Sequence, residues 1–265
     1  MNPKVLTTIS LSLFLSSSCL GQEESKFSLS DAATQSQFFS GLGTHQRKLD
    51  AKSDEAQKFF DQGLTWMYAF NHDEAVRSFA KAAELDDGCV MAWWGMSLCY
   101  GPQYNHPLDA ERAVKAWATL QGAIERIDHA SPLERRLIEA LKLRNTSGEF
   151  VAEEQTSRDE AYADAMAKIW HEHPNDADVG TLYAEALMAL RPWKLYSPDG
   201  EPEDDTLTIL STLERVVALQ PNHPGALHYY IHAAEPGKNP GRALFAADRL
   251  SDLIPGSGHM LHMPC

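Results

Sequence analysis

Between residues 56 and 87 apolar positions recur at helical spacing twice, separated by a short polar break at Asn71-His72. The pattern predicts one helix, a tight turn and a second helix. Phe59, Gly63 and Trp66 share a face of the first, and Ala75, Phe79 and Ala82 share a face of the second. Gly63 and Ala75 carry little bulk, so the helices can approach closely there while Phe59, Trp66 and Phe79 fill the space around the contact. One such hairpin cannot bury its apolar face alone and needs neighbours.

The same alternation recurs downstream. A second unit begins with VMAWWGMSLCYG, has Gly95 in the tight position, and returns over about 109–127 with Ala113, Trp117 and Leu120 at the second-helix offsets. A third opens on SPLERRLIEALKLR, where Ser131, Pro132 and Glu134 form a helix-start signal, and its partner helix runs to His173 before Pro174. A fourth pairs 177–190 with 207–219 across a break at Arg191-Pro192-Trp193 and an acidic loop. A fifth pairs 224–234 with a helix carrying Ala243, Ala247 and Leu250, closed by Pro255. Residues 256–265 then read as the start of a further hairpin. The chain is predicted to be all-α: a solenoid of about five helical hairpins over residues 54–265, with an incomplete hairpin at the C-terminus. That ending predicts either a truncated chain or one whose last apolar face a partner covers.

Ahead of the repeats, residues 22–53 are polar and without period, and are expected to be a linker in which His45 is a solvated loop residue. Residues 1–21 read as a secretory signal, with Lys4 followed by an apolar run over 5–15 that is too short to span a bilayer. Cys19 offers a lipid-anchoring alternative, although Leu15 stands four residues before it rather than three. The expected location is therefore exported, either periplasmic or lipid-anchored to the cell envelope. Cys89, Cys99 and Cys265 are too few and scattered for a disulfide framework, and Cys89 and Cys99 read as small buried thiols. With 37 acidic against 23 basic residues the formal net charge is −14, which argues against nucleic acid and anionic membrane surfaces as partners.

Candidate chemistry is concentrated near the end. His228 and His232 are spaced i, i+4, and Glu235 follows at i+7, so all three fall on one helix face. His259 and His262 lie on the next first-helix stretch. Imidazole and carboxylate donors in this arrangement suit a divalent transition metal such as zinc, copper or iron. Neither pair makes a His-Glu-x-x-His motif, and the chain has no glycine-rich phosphate loop, Gly-x-Ser-x-Gly elbow or Cys-x-x-Cys, so no catalytic residue is assigned. Trp93, Trp94, Tyr100, Tyr104 and Trp193 read as core aromatics between helix pairs.

The hairpin from Phe59 to Phe79 resembles the tetratricopeptide repeat (TPR), a helix pair of about 34 residues with an aromatic-glycine-aromatic first helix and Ala-x-x-x-Phe on the second. Gln62 stands where that pattern has leucine, and Asp87 where it has proline. FFDQGLTWMYAFNHDEAVRSF, MAWWGMSLCYGPQYN, ALMALRPW, HPGALHYYIHAAEP and RALFAADRLSDLIPGSGHMLHMP together resemble exported bacterial TPR proteins from about Gly43 onward. Members of that group continue past the His-Met-Pro segment into further repeats. The resemblance implies an α-solenoid that binds a protein or peptide in a groove lined by first helices; it supplies no reaction. The alternative function is a metal-binding protein or metal-dependent enzyme using His228, His232, Glu235, His259 and His262.

Overall fold

The computed structural model describes residues 27–49, 53–148 and 150–265; the signal segment and Cys19 lie outside them. The described residues are all-helical. A short α1 (Leu29–Thr34) precedes five antiparallel pairs: α2 (Asp54–Tyr68) with α3 (His72–Leu85), α4 (Val90–Tyr100) with α5 (Ala110–Glu125), α6 (Pro132–Arg144) with α7 (Ala152–Glu172), α8 (Ala177–Leu190) with α9 (Thr206–Leu219), and α10 (Pro224–Ala234) with α11 (Leu244–Leu250). A final α12 spans Gly258–His262. The chain is thus a TPR-like α-solenoid of five hairpins among the described residues. No helix among them is long and apolar enough to cross a membrane.

Local signals set the helix ends. The Ser131 hydroxyl and the Glu134 carboxylate form a reciprocal capping box at α6. Asn71 and Asp109 cap α3 and α5 with their side chains. Phe79 on α3 explains both glycines of the first two units: a Cβ at Gly63 would lie 2.5 Å from its ring, and one at Gly95 2.7 Å. The ring is fully buried between α2 and α4, a burial that stabilises by about 1.5–3 kcal/mol.

The linker expectation needs correction. Residues 29–34 form a helix packed on α3, and Gln62, the residue in the leucine position, holds the stretch behind it. Its amide donates to the Gln37 carbonyl at 2.8 Å and its carbonyl accepts from the Phe39 amide at 2.9 Å. His45 is buried, not solvated.

The first helices do not line an open groove. α4 and α10 contain no Asp, Glu, Lys or Arg, and every residue from Val90 to Cys99 and from Pro224 to Ala234 is buried. The superhelix turns tightly enough that α10 packs on α8 and also on α2, which closes the inner layer on itself. A Cβ at Gly225 would lie 2.5 Å from the Tyr68 ring and 3.0 Å from Thr181, so α2, α8 and α10 meet at this glycine. The closure continues outside the helices, where the Gly256 amide donates to the Gly41 carbonyl at 2.7 Å. The second helix of the fifth unit is also shorter than expected. It begins as a 3₁₀ turn at Pro240–Ala243, and Ala246 rather than Ala247 is its buried alanine.

Candidate metal centre

Closure brings α10 and α12 over the end of α2, and three of the expected histidines converge there. His228 and His232 lie one turn apart on α10, and α12 starts when the Ser257 hydroxyl caps the Met260 amide, which places His259 in its first turn. Ring nitrogens of His228, His232 and His259 all lie within 4.8 Å of one another, and the Nε2 atoms of His228 and His259 are 2.9 Å apart. Two nitrogens at 2.0–2.1 Å from one tetrahedral ion stand roughly 3.3 Å apart, so the spacing suits a shared cation.

The second contacts of two rings fix their tautomers. His228 Nδ1 lies 2.6 Å from the Tyr68 carbonyl, which can only accept, so the ring proton sits on Nδ1. His232 Nδ1 lies 3.0 Å from Glu235 Oε1, which fixes its proton in the same way. Both Nε2 atoms thereby carry lone pairs; that of His228 accepts from the His259 Nε2–H at 2.9 Å, a proton His259 must give up to ligate through that atom. His232 is 4% exposed and its Nε2 has no hydrogen-bond partner. Holding Nδ1–H on a carbonyl or carboxylate while Nε2 faces an ion is the usual outer support of a metal-ligating histidine. Burial pushes the His228 pKa well below its ordinary value, and His232 and His259 add to that effect. His259 is lowered too, by burial first and then by His232 and His262. Neutral imidazole is the form that ligates.

Phe70 forms the floor. α2 ends in a Schellman arrangement, with the Asn71 amide on the Trp66 carbonyl at 2.9 Å and the Phe70 amide on the Met67 carbonyl at 3.1 Å. Phe70 occupies the left-handed position at φ 56°, where glycine is usual. Its ring centre lies 4.5 Å from that of His228, 5.7 Å from His232 and 5.8 Å from His259. Trp193, also left-handed at φ 60°, stands edge-on to His232 at 5.6 Å. At 58% exposure Trp193 is not a core residue, contrary to the sequence expectation, whereas Trp93, Trp94 and Tyr104 are buried. A cleft of about 560 Å³ opens beside His259 and Phe70.

Two expected ligands take other places. Glu235 supports His232 from behind rather than joining the three nitrogens. His262, three residues beyond His259 on the short α12, is exposed and outside the group.

A second cluster, His45, Asp178 and His223, escaped sequence reasoning. His223 Nδ1 accepts the Ala226 amide at 3.1 Å, capping α10 as a histidine before proline can, so its Nε2 carries the proton facing Asp178. Asp178 Oδ1 also accepts from the Tyr68 hydroxyl at 2.7 Å and faces His45 Nε2 at 3.0 Å, while Oδ2 accepts from Arg47 at 3.0 Å. Burial alone would raise the Asp178 carboxyl, but hydrogen bonds from His223 and His45 outweigh it and hold it well below the usual carboxylate range. With the His223 proton already committed, the cluster is a clasp joining the N-terminal segment to α2, α8 and α10. His45 and Asp178 are separated by 133 positions, and no local spacing signals the cluster.

No family model matches the chain, and no curated protein matches it. Among solved structures it is similar to one described as the crystal structure of YrrB, a TPR protein with an unusual peptide-binding site. Identity is 15%, with 78% of this chain and 90% of that one covered, at a TM-score of 0.37. A likeness at that level bears on neither ligand nor site, and the repeat architecture stands on the helix pairing itself.

Proposed function

We propose that the chain is a helical-repeat binding protein whose ligand is a divalent transition metal held by His228, His232 and His259. The observation that carries this reading is the unpartnered, buried His232 Nε2, aimed by Glu235 toward two further imidazoles. Three neutral nitrogen donors suit zinc, copper or iron, and three protein ligands leave coordination to be completed by another group. Glu235 orients His232, and His262 lies outside the set. Metal titration against a chromophoric chelator tests the reading. One equivalent bound, and lost in His228→Ala, His232→Ala and His259→Ala alike, is expected; binding that survives His232→Ala would refute it.

The sequence resemblance adds an exported setting and a protein or peptide partner, either periplasmic or anchored through Cys19. The repeat architecture supports a partner-binding role, and with the inner layer closed the cleft beside His259 is the place this reading favours. Pull-down with and without metal, compared with a variant filled at the cleft, tests this part. A partner retained equally by both proteins would place its site elsewhere.

A further inference from the structure

The cleft beside the histidines has a charge of its own. Its walls come from the end of α2, the start of α3, the loop before α5 and the first turn of α12. At about 560 Å³ it falls in the size range of small-molecule sites. His259 stands in one wall and Arg112 in another.

Arg112 donates one terminal N–H to the Cys99 carbonyl at 2.6 Å, and its Nε is buried with no partner. Arg47, Arg126, Arg144 and Arg242 each face a carboxylate within 3.0 Å. Arg112 pairs with none among the described residues, although acids outnumber bases by 37 to 23. Asp73 lines the same cleft but is not within ion-pair reach of it. His72, at the same wall, stays neutral: burial first, and then the Arg112 charge, push its pKa down to about 3. The remaining polar lining includes the uncharged side chains of Asn71, Gln103 and Asn105, together with His106.

A guanidinium without a carboxylate, facing a cleft that ends on a metal-ligating imidazole, is a receptor for a planar anion. We propose that the cleft binds a carboxylate at Arg112, from a ligand whose second donor reaches the metal on His228, His232 and His259. This rests on the metal reading above. The carboxylate could belong to a free small acid or to the C-terminus of a peptide, and the test separates the two.

The protein is loaded with cobalt(II), whose visible spectrum reports its ligands. It is then titrated with succinate, with acetyl-Gly-Gly and with acetyl-Gly-Gly-amide. The proposal expects a saturable spectral change with succinate or acetyl-Gly-Gly, and none with the amide. A response to succinate alone assigns a free acid, and a response to acetyl-Gly-Gly alone assigns a peptide end. Arg112→Gln should weaken that response at least tenfold without altering the starting cobalt spectrum. Because Arg112 also caps α4, Arg112→Lys is run in parallel; it keeps the charge, loses the paired donors, and should fall between. Equal responses to acid and amide, or no loss in either variant, would overturn the carboxylate site while leaving the metal site standing. Failure of cobalt to bind at all would overturn the metal reading and this proposal with it.

Discussion

Gly225→Ala probes the contact on which the site depends. A methyl group there would start 2.5 Å from Tyr68 Cδ1, 2.7 Å from Cγ and 3.0 Å from Thr181 Cγ2. Ordinary carbon contacts lie at about 3.5–4.0 Å, so α10 must move off α2 by roughly 1 Å or the Tyr68 ring must shift. Tyr68 is poorly free to move, because its hydroxyl is held by Asp178 at 2.7 Å and its carbonyl by His228 at 2.6 Å. Overpacking of this kind costs about 1–3 kcal/mol, and the better helix propensity of alanine returns at most about 1 kcal/mol. The net loss of about 1–2 kcal/mol should lower the unfolding midpoint by roughly 2–8 °C. Displacing α10 also lengthens the His228–Tyr68 hydrogen bond, so metal affinity should fall with stability. Gly258→Ala is the control, since a Cβ there meets nothing within 4 Å. Thermal unfolding and metal titration of both variants decide the matter. Equal midpoints and equal affinities for the two would refute the claim that Gly225 sets the approach of α10 to α2.

Three further predictions follow from the same geometry. Glu235→Gln, at an exposed position, should leave folding intact while reducing metal affinity about 10–100-fold, measured by chelator competition; unchanged affinity would remove Glu235 from its supporting role. Metal-free protein should lose stability as pH drops below about 6.5, because unfolded chains take up a proton that buried His228 refuses, with a slope of at most about 1.4 kcal/mol per pH unit from this residue. The Asp178 contribution has the same sign at lower pH: its folded carboxyl titrates below the unfolded value of about 3.9, so it is intact above about pH 4 and lost in stronger acid. Denaturation across that range checks both, and a flat profile through pH 6 would contradict a neutral His228. Asp178→Ala should cost about 1–3 kcal/mol for each buried donor it leaves without an acceptor, the Tyr68 hydroxyl and the His223 N–H, while Arg47 keeps Asp176; a total shift under about 1 kcal/mol would mean the clasp is not structural.

The hairpins were legible because each repeats a local pattern. Gly63, Gly95 and Phe79 carry the packing rule in their spacing, and Ser131 with Glu134 carries the helix start. His228 and His232 were legible for the same reason, as an i, i+4 pair on one helix. What local pattern does not encode is the pitch of the superhelix. That depends on contacts between distant positions, such as Gly225 with Tyr68 and Gly41 with Gly256. An open groove was therefore the natural expectation, and its closure was invisible. The same cause hid His45, whose partner Asp178 is remote in sequence, and it decides that α12 brings His259 to α10 while His262 stays exposed. Trp193 looked like core because its apolar ring was weighed without its left-handed backbone, which turns it out over His232.

The most direct measurement is X-ray absorption at the edge of the bound metal in the purified protein. The account predicts three imidazole nitrogens, with the outer-ring scattering of histidine, at about 2.0–2.1 Å if the metal is zinc. It also predicts loss of one of the three in His232→Ala. A first shell containing sulfur, or one built of carboxylate oxygens with no imidazole signature, would contradict the assignment of His228, His232 and His259 as the metal's ligands.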